Sequence, residues 1–161
     1  MNNIIEKIVS GGQTGADQAA LDVAIRLGIP HGGWVPKGRR TEAGALHRRY
    51  QMREMPTDGY AERTEQNVID SDGTVILSHG ALDGGSALTK IRALERGRPH
   101  LHLDMERLSI AEAAGALKEW VGNNAIRVLN VAGPRASKDP DIYGVTAAVL
   151  ESLLGKDRAA I

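Results

Sequence analysis

Two glycine-rich turns and a scatter of cations are the parts of this sequence that could do chemistry. The first turn is Ser10-Gly11-Gly12-Gln13-Thr14-Gly15, running straight into a helix. Consecutive glycines allow left-handed backbone angles that turn N–H groups outward, and a helix start adds partial positive charge. Together they make a seat for an anion. The spacing and the missing lysine exclude a P-loop, and the dinucleotide pattern G-x-G-x-x-G is absent as well. The plainer alternative is a glycine-lined helix start with Thr14 and Asp17 as a capping box. Asp17 suits the helix dipole, yet a carboxylate there competes with a bound anion.

The second turn is Asp83-Gly84-Gly85-Ser86, again opening a helix, where Ser86 can cap the helix or donate to an anion. Two such turns on neighbouring strands predict one nucleotide-like or phosphorylated ligand spanning both. Lys37 and Arg39, in the run Pro36-Lys37-Gly38-Arg39-Arg40, offer phosphate-clamping cations, as does Arg135 beyond Gly133-Pro134. The alternative for the first run is a solvated basic loop balanced by Glu42 and Glu54. Arg63 and Asn67 stand one helical turn apart and can reach the rest of a ligand.

Other chemistries find little support. No H-E-x-x-H motif, Ser-His-Asp order or carboxylate dyad stands out. Asp70, Asp72 and Asp83 flank one strand, and any of them could supply an acid or base. His100 and His102 alternate on a strand face beside Asp104 without a further ligand, so no protein-held metal is expected. Trp34 fits a core or interface position, or a stacking surface for a base or pterin ring.

The elements that must position these turns alternate regularly. Ala16, Ala19, Ala20, Val23, Ala24 and Leu27 form one helical face after the strand at 7–10, and Gly28 suits a left-handed stop. Strands are expected at 74–78, 100–104 and 127–133, each followed by a helix. The helix after Ser109 carries a capping box with Glu112, and the last helix is expected to stop at Gly155. A further helix over 58–73 carries Arg63 and Asn67. Residues 29–57 show no clean period beyond a strand at their start, and a run of that length inside a compact domain is uncommon unless functional. The pattern predicts a single Rossmann-like α/β domain over 1–161, a three-layer α/β/α arrangement on a mostly parallel sheet of about five strands.

Twenty basic and twenty acidic residues cancel, so no global field points to nucleic acid or an anionic membrane. The chain has no cysteine, which excludes disulfides, thiolate metal sites and a cysteine nucleophile. No signal peptide or membrane span is read, so a cytoplasmic protein is expected.

The stretches SGGQTGADQAALD, GWVPKGRRTEAG, RTEQNVIDSDGTVIL, GGSALT and NVAGPRASKDPDIY together resemble the molybdenum (molybdenum-cofactor) carrier family, over about Ile5 to Leu154. The resemblance implies a cytoplasmic homo-oligomer that binds a phosphate-bearing ligand at its glycine turns, with molybdenum cofactor as the carried ligand. That cofactor supplies its own dithiolene sulfurs, so a chain without cysteine could still carry it. The related lysine-decarboxylase-like phosphoribohydrolases are similar in fold and use P-G-G-x-G-T-x-x-E. Laid on this chain, the motif matches Gly84 and Gly85 but puts Ile91 where the glutamate belongs. A carrier is therefore expected rather than an enzyme, with Asp83 as a conceivable substitute acid. The site residues so implied are Gly11, Gly12, Gln13, Thr14, Gly15, Lys37, Arg39, Arg63, Asn67, Gly84, Gly85, Ser86 and Arg135. A nucleotide-processing enzyme and a nucleotide-sensing module remain as alternatives.

Overall fold

The computed structural model describes residues 5–159, with side chains through Gly155. The four leading and two final residues, which the reading of 1–161 as one domain also takes in, lie outside them. In chain order the elements are β1 (Lys7–Val9), α1 (Ala16–Leu27), β2 (His31–Gly32), β3 (Trp34–Val35), β4 (Arg40–Thr41), β5 (Gly44–Ala45) and β6 (Arg53–Glu54). There follow α2 (Tyr60–Ile69), β7 (Gly73–Ser78), α3 (Gly84–Glu95), β8 (His100–Asp104), α4 (Ile110–Asn123), β9 (Val128–Ala132) and α5 (Ile142–Ala159).

The main sheet runs β2-β1-β9-β7-β8, and all its pairings are parallel. The chain moves outward from β1 to β2, crosses to β7 and β8, and returns to place β9 in the middle. Strand order thus reverses around β9, and the turns after β1, β7 and β9 leave the same carboxyl edge side by side. Helices α1, α4 and α5 cover one face through an apolar cluster that includes Ile8, Val23, Val75, Leu77, Leu117, Leu129, Val131 and Val149. Helices α2 and α3 lie on the other face, which completes the three-layer Rossmann-like architecture.

Local expectations hold for α1, whose face buries Ala16, Ala19, Ala20, Val23 and Ala24. Gly28 ends it at φ 70°. The Ser109–Glu112 capping box is formed in both directions. The stop expected at Gly155 does not occur, because α5 continues through it to Ala159. One glycine inside a helix costs only about 1 kcal/mol relative to alanine, too little by itself to end it.

Residues 29–57 fold as two-residue strands, too short to show a period. After β2 has joined the main sheet, β3 pairs with β6 in parallel and β4 with β5 in antiparallel. Leu21, Val35, Leu46 and Tyr50 give this layer a small core of its own, with Met52 against it.

Candidate functional site

The turns after β1, β7 and β9 and one face of α2 enclose a cavity of about 320 Å³. That lies at the small end of the ~300–1,000 Å³ range of small-molecule sites. Gly11, Gln13 and Asp17 line it from the first turn, and Arg63 and Asn67 from α2. Asp83, Gly84, Gly85 and Ser86 line it from the second turn, with Asn130 from β9 and Arg135 and Lys138 from the turn beyond. Eight of the sequence-selected residues therefore meet in one place: Gly11, Gln13, Arg63, Asn67, Gly84, Gly85, Ser86 and Arg135.

At the second turn the first hydrogen bond of α3 runs from the Ala87 amide to the Asp83 carbonyl at 3.1 Å. The amides of Gly84, Gly85 and Ser86 consequently have no helical acceptor, and they stand at the positive end of the helix dipole. Ser86 is only 8 % exposed, and its hydroxyl hydrogen-bonds to nothing among the described residues. Gly84 has φ 49°. Space for a Cβ at Gly85 is open, with nothing within 4 Å.

At the first turn the capping box offered as the alternative, Thr14 with Asp17, is not formed. The Thr14 hydroxyl donates instead to the Glu42 carboxylate. Asp17 is 7 % exposed, and its Oδ2 accepts the Gln13 amide at 3.2 Å. Burial raises the Asp17 carboxyl to about 6, against the pull of Arg63 and of the Gln13 and Gly11 amides. Arg63, itself buried, lies 3.7 Å from Asp17 Oδ2, donates to the Gly11 carbonyl, and sits over the Tyr60 ring at 5.4 Å. Burial pulls its guanidinium below the usual range, with Asp17 opposing.

Five of the selected residues stand elsewhere. Gly12, at φ 73°, packs its Cα against Val35 and Leu46, so a side chain there would invade the small core. Gly15, at φ 85°, leaves 2.4 Å between an added Cβ and the Pro134 carbonyl oxygen; it serves the close approach of two turns. Thr14 is engaged by Glu42. Arg39 donates to the carbonyls of Leu46 (3.1 Å), His47 (2.8 Å) and Tyr50 (2.7 Å), stapling its loop. Lys37 is exposed on the same loop, off the cavity wall.

Asn67 lines the cavity, but its amide is spent on the backbone of Trp34, accepting from N–H at 2.8 Å and donating to C=O at 3.1 Å. Trp34 stands beyond it, over a separate groove of about 230 Å³, held by Asp70 at 2.7 Å and stacked by Arg53. It does not face the main cavity. Asp70 is thus occupied, and Asp72 Oδ2 accepts the amides of Arg127 and Val128 at 3.0 and 2.8 Å. Of the three acids flanking β7, only Asp83 reaches the cavity, and Lys138 Nζ holds it at 2.9 Å. His102 Nε2 lies 2.6 Å from the Ser78 hydroxyl. Among the described residues no three His, Cys, Asp or Glu side chains are grouped to hold a metal ion. None of the described helices is long and apolar enough to cross a membrane.

Sequence reasoning passed over Lys138, Asn130 and Tyr60. Asn130 was the most legible, a lone polar residue inside the apolar run RVLNVAG. It is 3 % exposed and donates to the Thr74 hydroxyl at 3.1 Å.

Residues 8–154 match the family described as circularly permutated YpsA SLOG. Among solved structures, the chain is similar to a Syntrophus aciditrophicus protein provisionally named a molybdenum carrier protein. The two are 57 % identical with a TM-score of 0.93, covering 93 % of this chain and 95 % of the other. No curated protein matches. The chain belongs to the circularly permuted YpsA SLOG family.

Proposed function

We propose that this SLOG-family protein carries a small phosphate-bearing ligand in the cavity between its two glycine turns. The observation that bears most weight is the pairing, on one wall, of three amides without helical acceptors with a Ser86 hydroxyl that has no partner among the described residues. Helix-start amides without helical acceptors, beside a free hydroxyl, can donate together to one phosphoryl oxygen. Arg63, Arg135 and Lys138 supply the countercharge. Molybdenum cofactor is the cargo we favour, because the Syntrophus relative is named for molybdenum and the cofactor bears a phosphate. The chain would act as a single domain in a cytoplasmic homo-oligomer, without nucleic-acid or membrane partners.

Native mass spectrometry of gently purified protein tests this. We expect a co-purifying molybdopterin species, lost in Gly85→Val, whose fold should be untouched because no atom lies near the new Cβ. Wild-type protein that arrives empty and binds no phosphate ester would refute the reading. Gly12→Val is unsuitable, since it strikes the small core.

One observation favours a second reading, nucleotide processing. Asp17 is a cavity-wall acid that burial pushes up to about 6, into the range useful for proton transfer. The position of the hydrolase glutamate offers no help: Ile91 is 49 % exposed and off the cavity wall. Time-resolved product release from a nucleotide panel, abolished in Asp17→Asn, would establish this alternative.

A further inference from the structure

Every cation facing the cavity already has a carboxylate. Arg63 stands 3.7 Å from Asp17, Arg135 Nε is 3.3 Å from Glu42, and Lys138 Nζ is 2.9 Å from Asp83. Each of the three cations is therefore already paired, and two of the carboxylates, Asp17 and Asp83, themselves line the cavity. The three carboxylates differ in freedom. Asp83 sits on an exposed segment and can turn toward water when an anion takes Lys138, and Glu42, held by Thr14 and Ser137, stands off the cavity wall. Asp17 is buried at the start of α1, with its Oδ2 on the Gln13 amide, and has nowhere to go.

A fixed carboxylate beside an incoming dianion has one inexpensive response, which is to take a proton and become a donor. We propose that the cavity binds its dianionic oxyanion together with one proton, held on Asp17 and donated to the ligand. This deepens the phosphate-site reading and rests on it. Arg63 from α2 faces Asp17 directly and opposes protonation. Across the same cavity stand Arg135 and Lys138 from the turn after β9, Asp83 from the start of α3, and Tyr60 from α2. An anion drawn onto Arg63 weakens that opposition. It follows that the ligand leaves when Asp17 gives up its proton, so release is coupled to a base.

Sulfate is the clean probe, because it stays dianionic throughout the relevant pH range. Calorimetric titration of the intact protein in buffers of different ionisation enthalpy should show uptake of about one proton per sulfate near pH 7.5. Sulfate affinity should fall about tenfold per pH unit between pH 7 and 8.5. Asp17→Asn should abolish both effects and bind sulfate at pH 8 at least tenfold more tightly than wild type. Sulfate binding with no proton uptake, or a slope that survives in Asp17→Asn, overturns the inference while leaving the anion site standing. If neither sulfate nor a simple phosphomonoester binds at any pH, the site reading falls with it. The proton-uptake measurement uses wild-type protein alone and does not depend on the variant folding.

Discussion

The two faces of the central sheet have been put to different use. On the α1/α4/α5 side, alternate strand positions carry Val75 and Leu77 in β7 and Leu129 and Val131 in β9, all buried in one apolar cluster. On the α2/α3 side the intervening positions carry Thr74 and Ser78 on either side of Ile76 in β7, and Asn130 in β9, equally buried. Helix α3 turns Ser86, Thr89 and Ala93 inward, where α4 turns Ala113, Leu117 and Val121. Buried polar groups stabilise nothing by themselves and must be paired to break even. The apolar face supplies stability, and the polar face sacrifices some of it to keep donors beside the cavity.

The comparison can be broken on either side. Leu117→Ala removes a fully buried side chain from the apolar face and should cost about 2–5 kcal/mol in denaturant unfolding. Phosphate-ester affinity should be unchanged at temperatures where the variant is folded; a large loss of affinity would mean the faces are not separable.

A change of similar size belongs to the cavity wall, at the start of α1, and depends on pH. Because burial raises Asp17 to about 6, its folded form holds a proton that the unfolded chain releases nearer 3.8. Stability from this group is thus fully present below about pH 4 and lost as pH rises through 6. The shift corresponds to roughly 3 kcal/mol. Urea midpoints across pH 4–7 should carry this downward step, and Asp17→Asn should flatten it.

Thr74→Val keeps the volume but leaves the Asn130 amide without its acceptor, at an expected cost of about 1–3 kcal/mol. If thermal unfolding shows no loss, the buried polar pair is not part of what holds that face together.

The smallest effect should come from the rim. Glu42 accepts from the hydroxyls of Thr14 and Ser137 and from the Ser137 amide, tying the β4–β5 hairpin to the turns after β1 and β9. Those donors hold its carboxyl below the usual range. The group is exposed, so Glu42→Ala should cost at most about 1 kcal/mol. Hydrogen exchange should quicken at residues 40–45 and leave β7 protected.

Much of this was readable along the chain. The α1 and α4 faces, the Gly28 stop, the Ser109 cap and the long strands β7 to β9 follow from short-range periodicity and capping, which act within a few residues. Both glycine turns announced themselves for the same reason, since helix starts and backbone angles are local matters. What stayed hidden depends on distance in space. The strands of residues 29–57 are two residues long and exist because a partner segment is near. Lys37 and Arg39 carry the right charge but lie on a loop whose own carbonyls claim Arg39. Lys138 and Tyr60 reach the cavity only because β9 closes the middle of the sheet and α2 lies across it.

The sequence by itself therefore determined the order of the five helices and the main-sheet strands, and the two backbone turns that can face an anion. Only the tertiary structure decided which charges stand at those turns. It also converted Asp17 from a helix-start carboxylate into a buried acid, because burial and the approach of Arg63 are properties of packing that no local pattern encodes.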